Sequence, residues 1–323
     1  ISKIPEKATV VDLEVDRVLK SILPLRSYLQ DHEPSVLLSG HTHANVAAII
    51  ANKISGASTR SAIGIHNTLF DNDSTGQGLT SRSVRAVFPR LYTYADHIIA
   101  VSHGTKRDLL DNTDISSGQV SVIHNPVVSD ELYVEADKEV NHRWLTDESV
   151  DLVLAAGRLA EQKDFETLLR AFAEVIKENE QARLLLVGTG PKERKLREVI
   201  STLDIEDRVE MVGYVENLYA HMKQADAFVL SSRWEGFGIV LVEAMAVGTP
   251  VVSTDCPHGP SEILRNGEFG ELVPVGAHEQ LGTAILHVLS ENPDLRQLKR
   301  RASDFSVSKI SDECIVELSG LDK

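Results

Sequence analysis

Residues 226–254 constrain the fold most, because they predict a strand, a glycine turn, a helix and a second strand in immediate succession. The first strand is the apolar run Asp226–Ser231, and the second is Val251–Thr254. A helix is predicted to begin near Gly238 and to end at Gly248, a residue type that favours helix ends. Strands joined through a helix lie parallel in one sheet, so this stretch predicts an α/β protein.

The same alternation of strand and helix patterns extends along the whole chain. Four apolar runs in the first half predict strands: Val36–Ser39, Ser61–His66, His97–Ser102 and Val120–Ile123. Between them, helical patterns cover Asp16–Asp31, Ala44–Ser55, Arg82–Ala95 and Thr105–Asp111. In the second half, strands are predicted near Leu152, Leu184, Val209, Ala227, Val251 and Leu272. Two such series predict two parallel sheets.

A chain of 323 residues suits two domains of this kind. We place the first Rossmann-like domain at 1–130 and the second at 150–302. The polar stretch Asn125–Val150 marks the boundary between them. Residues 303–323 contain a helical pattern, and we expect this last helix to cross back onto the first domain.

Two glutamates, Glu235 and Glu243, are placed where a ligand would bind. Glu235 follows the first strand of the 226–254 unit, and Glu243 lies along the helix after it. Ligands of open parallel sheets bind at the carboxyl ends of the strands. Carboxylates accept hydrogen bonds from sugar hydroxyls, and free N–H groups at a helix start suit phosphate. The alternative is that both are ordinary solvated side chains.

Two cations follow an earlier strand. Arg158 and Lys163 stand in AAGRLAEQKDFETLLRAF (155–172), after the apolar run near Leu152 and before a predicted helix. A glycine turn, two cations and a helix start can together neutralise a diphosphate leaving group. Taken alone, each cation could equally be an ordinary surface residue.

The stretch from Glu235 to Pro250 resembles the signature of the family 4 retaining glycosyltransferases, which have the GT-B fold. The Arg158–Lys163 element resembles a second signature of that family. In the segment 255–264, where the family commonly has Gly-Gly-x-Pro-Glu, only Gly259 and Glu262 fit. This variant resembles the one in bacterial transferases that build surface polysaccharides.

The resemblance implies two Rossmann-like domains facing a cleft, of which 1–130 is the acceptor-side domain and 150–302 the nucleotide-sugar-binding domain. It also implies metal-independent, retaining transfer of a hexose. The donor is expected to be a UDP-hexose and the acceptor a glycan or lipid-linked glycan. Arg158 and Lys163 are expected to hold the donor diphosphate, Glu235 the donor sugar and Glu243 the ribose hydroxyls. The turn itself is expected to add contacts to phosphate or sugar, through Gly236, Phe237, Gly238 and Ile239.

The family also has a histidine that contacts the donor sugar, and His66 matches it best. More generally, polar loops follow three strands of the first half, and we expect them to converge: they carry His41, His43, Asn45, His66, Asn67, Ser102, His103 and Gly104. Gly188 opens a glycine loop that lies near the nucleotide base in the family. It does not begin a dinucleotide fingerprint, because Glu193 stands where that fingerprint needs Gly or Ala.

No cofactor and no metal are expected. Cys256 and Cys314 lie far apart in the sequence, which favours a reduced compartment and argues against structural zinc. Asp71-Asn72-Asp73 imitates the D-x-D pair of the GT-A fold, but its Gly- and Ser-rich surroundings favour a loop. A net charge of −15 argues against nucleic acid as a partner.

We expect a cytoplasmic protein whose first domain, if the acceptor is lipid-linked, meets it at the cytoplasmic face of the inner membrane. Residues 1–125 contain 12 basic and 12 acidic residues, whereas 126–323 contain 21 basic and 36 acidic. The neutral half can therefore approach an anionic surface, although chance scatter of charge explains the difference equally well. The family's glycine-rich loop near the N-terminus has no match in 1–35, so we expect a first domain that is incomplete at its N-terminus.

Two other functions remain open at this point. One is a non-catalytic nucleotide-sugar-binding or scaffold protein that retains the second domain. The other is a different GT-B enzyme, such as a sugar-nucleotide epimerase or a phosphorylase. Product analysis separates the three, since they give a transferred sugar, binding without turnover, or a modified donor.

Overall fold

The computed structural model describes residues 7–66, 90–291 and 294–322, and these contain two parallel sheets. The strands are β1 (Val36–Gly40), β2 (Arg60–Ile65), β3 (His97–Ala100), β4 (Val120–Val122), β5 (Asp151–Ala156), β6 (Ala182–Val187), β7 (Val209–Gly213), β8 (Ala227–Leu230), β9 (Val251–Thr254) and β10 (Glu271–Val273). The helices are α1 (Ile22–His32), α2 (Thr42–Ser55), α3 (His103–Asn112), α4 (Asp130–Ala136), α5 (Phe165–Glu178), α6 (Glu193–Thr202), α7 (Leu218–Gln224), α8 (Ile239–Val247), α9 (Pro260–Ile263), α10 (His278–Ser290), α11 (Leu295–Ala302) and α12 (Val307–Ser319).

The first sheet has four strands in the order β1-β2-β3-β4, all parallel. Its central strands are apolar on both faces, as expected for strands covered by helices on either side. Ile63 and Ile98 are fully buried there. The predicted helix Arg82–Ala95 falls largely outside the described residues.

The second sheet has six strands in the order β10-β9-β8-β5-β6-β7. The chain adds β6 and β7 on one side of β5, and β8, β9 and β10 on the other. The order therefore reverses between β5 and β8, which pair directly with each other. Such a reversal opens a crevice at the carboxyl ends of the two strands, because the connections leave in opposite directions.

Two helices with different burial cover the two faces of the second sheet. Helix α5 packs against α10 and buries Phe165, Leu168, Leu169, Phe172 and Val175, the stripe expected of an amphipathic helix. Helix α8 packs against α11 and is buried at six of its nine positions. Glu243 is the single charged residue within α8, so its carboxyl group is placed in largely apolar surroundings.

The polar stretch predicted as a boundary contains helix α4. Ser129 caps this helix with its side chain, which accepts a hydrogen bond from the backbone N–H of Leu132. Leu132, Ala136 and Trp144 then pack into the core of the second sheet. At the other end of the chain, Ile310 of α12 packs against Ile99 and Ile123 near the first sheet. The last helix therefore contacts the first sheet.

Several predicted boundaries differ from those observed. The helix predicted from Asp16 begins at Ile22, after a 3-10 turn at Val18–Ser21. The strand predicted as His97–Ser102 ends at Ala100, because Ser102 caps α3 by accepting a hydrogen bond from Thr105. No described helix has both the length and the apolar composition that a membrane span requires.

Candidate active site

The crevice between β5 and β8 holds an ion pair. Lys163 follows β5 and Glu235 follows β8, and the lysine Nζ lies 2.5 Å from the glutamate Oε1. The two side chains are only 15% and 9% exposed. Sequence reasoning placed both residues at the site but did not predict this contact, which arises because β5 and β8 are neighbours despite lying about seventy residues apart.

Glu235 is held by further hydrogen bonds from its own neighbourhood. The Ser232 hydroxyl donates to its Oε1 at 2.6 Å, and the Gln162 amide lies 3.5 Å from Oε2. The Ser231 hydroxyl donates to the backbone carbonyl of Lys163 at 2.7 Å, which joins the two loops. A carboxylate fixed in this way is preorganised for a ligand, because its side chain loses little further conformational freedom when the ligand binds.

Two glycines allow these loops to approach each other. A Cβ atom on Gly157 would lie 2.9 Å from Cε of Lys163, so the lysine side chain passes directly over this residue. A Cβ atom on Gly188 would lie 1.9 Å from the carbonyl oxygen of Gly157. Gly188 therefore has a steric role in the loop packing, whereas its predicted place near the nucleotide base stays a prediction.

Arg158 differs from Lys163 in having no side-chain partner among the described residues. Its side chain is exposed, and it makes no ion pair or hydrogen bond with the part of the chain that the structure describes. Its guanidinium can therefore bind an anionic ligand bidentately without first breaking a contact.

Glu243 lies on α8 and is mostly covered. Burial raises the pKa of its carboxyl group above the ordinary value, and a hydrogen bond from the Tyr219 hydroxyl, at 3.4 Å, partly opposes this. At the start of the same helix, the backbone N–H groups of Phe237, Gly238 and Ile239 have no acceptor among the described residues. Free N–H groups near a carboxylate suit a ligand that carries both phosphate and hydroxyl groups.

The Phe237 side chain lies in the contact between the two halves of the chain. It is 2% exposed, and its ring centroid lies 5.3 Å from those of both His124 and Phe305. The preceding carbonyl, that of Gly236, accepts hydrogen bonds from the hydroxyls of Ser102 and Thr105 at 3.0 and 3.1 Å. The turn is thus anchored to the start of α3.

The His66 ring lies over the ends of two strands. Cβ atoms on Gly40 and Gly64 would be 3.2 and 2.9 Å from its Nε2, so glycine at both positions leaves room for the ring. Burial lowers the pKa of His66, a hydrogen bond with Asn125 opposes this shift, and His41 adds to it. The lowered pKa favours a neutral imidazole, which can accept a proton or a hydrogen bond.

Only part of the predicted convergence of polar loops is found. The rings of His41 and His66 are 6.2 Å apart. His103 instead directs its backbone N–H toward Glu262 of the second half, at 2.9 Å. Asn67 lies outside the described residues, as does the Asp71-Asn72-Asp73 run. Among the residues that are described, no three His, Cys, Asp or Glu side chains are grouped to hold a metal ion.

Sequence reasoning missed several residues that contact the predicted ones. Gln162 and Ser232 contact Glu235, Tyr219 contacts Glu243, and Asn125 contacts His66. Gln162 and Ser232 are close in sequence to predicted site residues, so proximity could have indicated them. Tyr219 and Asn125 are distant in sequence from their partners, and no motif marks them.

Two Rossmann-like parallel-sheet domains, with a crevice at the switch point of the second, have the architecture of the GT-B fold. The chain belongs to the family "Glycosyl transferases group 1", which it matches over residues 137–305. Residues 3–131 match a second family description, "Glycosyltransferase Family 4". The predicted fold class and the prediction of a transferase enzyme are confirmed.

Named relatives agree with this family. The chain is 26% identical to an uncharacterized glycosyltransferase of Methanocaldococcus jannaschii, over 94% of this chain and 84% of the relative. It is 30% identical to N-acetylgalactosamine-N,N'-diacetylbacillosaminyl-diphospho-undecaprenol 4-alpha-N-acetylgalactosaminyltransferase of Campylobacter jejuni, over 71% of this chain but only 62% of the relative.

Among solved structures, Anabaena HepE in complex with UDP superposes with a TM-score of 0.78 at 22% identity, covering 93% of this chain and 82% of that one. A point mutant of Staphylococcus aureus TarM superposes with a TM-score of 0.72 at 18% identity. It covers 94% of this chain and 59% of that one. At these identities the likeness establishes the fold.

Proposed function

We propose that this protein transfers a hexose from a UDP-sugar to a glycan or lipid-linked glycan, with retention of the anomeric configuration and without a metal. The buried Lys163–Glu235 pair at the switch point of the second sheet carries this proposal. A cation and a carboxylate fixed in one crevice match a ligand that presents a diphosphate beside sugar hydroxyls.

Each proposed role follows from the surroundings of the residue. Exposed Arg158 would close on the diphosphate, and Lys163 would share its charge between Glu235 and the departing phosphate oxygens. Glu235 would accept hydrogen bonds from the donor sugar, and Glu243 from the ribose. The N–H groups of the turn would add to phosphate or sugar binding. His66 would meet the donor sugar from the first domain, as a neutral imidazole.

Stabilisation of the leaving diphosphate by two cations replaces the metal that other transferases use. While the diphosphate is held in place, the bond between the sugar and its phosphate oxygen breaks. That phosphate oxygen can then accept the proton of the acceptor hydroxyl, which lies on the same face of the sugar. Attack from that face retains the anomeric configuration. The proton then leaves with the UDP, so the step balances without a separate base.

The choice of donor and acceptor draws on the relatives. HepE is also known with UDP-glucose, and the Campylobacter jejuni relative is named for a diphospho-undecaprenol-linked substrate. A further relative, 30% identical over 52% of this chain but only 38% of the relative, is the alpha-monoglucosyldiacylglycerol synthase of Streptococcus pneumoniae. These names support a UDP-hexose donor and a glycan or lipid-linked acceptor for the proposal.

The first prediction tests the reaction and its metal independence together. Purified protein is incubated with UDP-glucose, UDP-galactose and their N-acetylamino counterparts, each with undecaprenyl-diphosphate-linked saccharides. We expect an α-linked product by NMR, formed at an unchanged rate after treatment with EDTA. Activity that requires Mn²⁺ or Mg²⁺ contradicts metal independence. Binding without turnover indicates a binding protein, and an altered donor indicates an epimerase.

The second prediction concerns Glu243 and pH. A protonated Glu243 cannot accept hydrogen bonds at both oxygens, so donor affinity should fall as pH decreases through its pKa. Because burial raises that pKa, the loss should begin at higher pH than the ordinary glutamate value of about 4.3 implies. Glu243→Gln should bind the donor more weakly and lose this part of the pH dependence.

Calorimetric titration with the UDP-sugar that supports transfer measures this effect between about pH 5 and pH 8. A UDP-sugar is preferable to UDP, whose terminal phosphate titrates near pH 6, at about the second pKa of phosphate monoesters. The pH profile of Glu243→Gln is then compared with that of the native protein. Identical pH slopes for the two proteins would show that Glu243 does not contact the donor.

A further inference from the structure

Glu262 joins the two halves of the chain through both oxygens of its carboxylate. Its Oε2 accepts a hydrogen bond from the backbone N–H of His103 at 2.9 Å, and its Oε1 lies 2.5 Å from the His124 Nε2. The side chain is 19% exposed. Glu262 belongs to α9 of the second half, whereas His103 and His124 belong to the first, so the carboxylate spans the contact between them.

The backbone of Glu262 is held separately in the second half. The Arg301 guanidinium donates to the carbonyl oxygens of Glu262 and Ile263, each at 2.9 Å. The same guanidinium lies 4.7 Å from the ring centroid of Phe305, which lies 5.4 Å from the ring centroid of His124. Because Arg301 holds the main chain of Glu262 in place, the Glu262 carboxylate can fix the positions of the groups that it contacts.

The group that Glu262 contacts is the start of α3, which also reaches the proposed donor site. His103 is the first residue of α3, where unpaired N–H groups favour a carboxylate. The hydroxyls of Ser102, just before His103, and of Thr105, two residues after it, donate to the carbonyl of Gly236. Gly236 directly follows Glu235. One helix start is therefore bonded to both Glu262 and the turn after β8.

We propose that Glu262 is a positioning residue for transfer: its carboxylate fixes the start of α3 and His124, and so sets how the first domain meets the turn that carries Glu235. This inference rests on the proposed function of Glu235 as the donor-sugar ligand. Burial alone would raise the pKa of Glu262, but the hydrogen bonds and charges of His124 and His103 outweigh it and leave the pKa lowered. The group is therefore a carboxylate at neutral pH.

If Glu262 has this role, its substitution should lower the rate of sugar transfer but leave nucleotide binding unchanged. The proposed nucleotide contacts all lie in the second half, so the affinity for UDP should not depend on Glu262. Sugar transfer requires the reacting groups of the two domains to be correctly placed relative to each other. A displacement of about 1 Å between them can lower the rate about 100-fold. A residue that acts only on stability would change neither quantity once the protein is folded.

The third prediction follows for Glu262→Gln and Glu262→Ala. We expect Glu262→Ala to lower kcat by about 10- to 100-fold, with UDP affinity within about twofold of the native protein. Glu262→Gln retains an acceptor for the His103 N–H and should recover part of the rate. Steady-state kinetics and calorimetry with UDP measure these two quantities on the same preparations.

Glu317→Gln is the matched control. Glu317 of α12 lies 2.9 Å from His97 Nε2, so it makes the same kind of contact with the first sheet, away from the turn after β8. Its substitution should leave kcat unchanged. Equal losses of kcat in the Glu262 and Glu317 variants would overturn the proposal, and so would a parallel loss of UDP affinity in Glu262→Ala.

Small-angle X-ray scattering tests the same inference without activity. Glu262→Ala should have a larger radius of gyration than the native protein, whereas Glu317→Gln should not. An unchanged radius together with an unchanged kcat rules out the positioning role. If the native protein transfers no sugar from any donor, the proposed function fails, and the scattering comparison still decides whether Glu262 sets the domain arrangement.

Discussion

Arg158→Ala is expected to lower kcat by about 100- to 1000-fold while the melting temperature stays unchanged. Loss of one electrostatic donor to charge that develops in a transition state typically costs about this much in rate. The fold loses little, because the exposed Arg158 side chain has no partner among the described residues. The donor KM should change less than kcat, since the diphosphate gains most of its charge as the bond breaks.

Lys163→Ala is expected to lose as much activity, but with a loss of stability as well. Removing the lysine leaves the 9% exposed Glu235 carboxylate without its cation. Breaking a buried ion pair in this way typically costs about 3–5 kcal/mol. The double variant Lys163→Ala/Glu235→Ala removes both charges, so it should regain stability and remain inactive.

Steady-state kinetics and thermal melting followed by circular dichroism separate these effects. The matched control is Arg194→Ala, whose side chain is 89% exposed and pairs only on the surface, with Glu198. It should retain full activity. Native kcat in Arg158→Ala or in Lys163→Ala, with an unchanged circular dichroism spectrum, would show that the diphosphate assignment is wrong.

Gly188→Ala is expected to destabilise the second domain by about 3 kcal/mol or more and to abolish activity. Gly188 has φ +138°, and the added Cβ would lie 1.9 Å from the Gly157 carbonyl oxygen. Overpacking typically costs about 1–3 kcal/mol, and here the obstacle is backbone rather than a side chain that can rotate. To accommodate the methyl group, Gly157 must move, and the Lys163 side chain that passes over Gly157 must move with it.

Gly276→Ala is the matched control for the steric part of this effect. Gly276 also has a positive φ, of +78°, but nothing lies within 4 Å of the added Cβ. Its substitution should cost only the backbone strain, about 1–2 kcal/mol. Urea denaturation of both variants measures the difference. Equal free energies of unfolding for the two variants would show that the close approach of Gly188 to Gly157 adds nothing to the loss of stability.

The sequence by itself determined the fold class and the residues of the proposed site. Alternating apolar strands and helices permit few arrangements other than two parallel sheets. Glycine turns after β5 and β8 marked the loops that carry Arg158, Lys163 and Glu235. These signals are local, because hydrophobic periodicity and turn residues can both be recognised within a short stretch of the sequence.

Contacts between distant segments were decided by the tertiary structure alone. The pairing of β5 with β8 makes Lys163 and Glu235 an ion pair, and α3 meets α9 through Glu262. Tyr219 reaches Glu243 because α7 and α8 pack together. The physical reason is that strand order and helix packing minimise exposed apolar surface over the whole molecule, so no short run of residues specifies which side chains will meet.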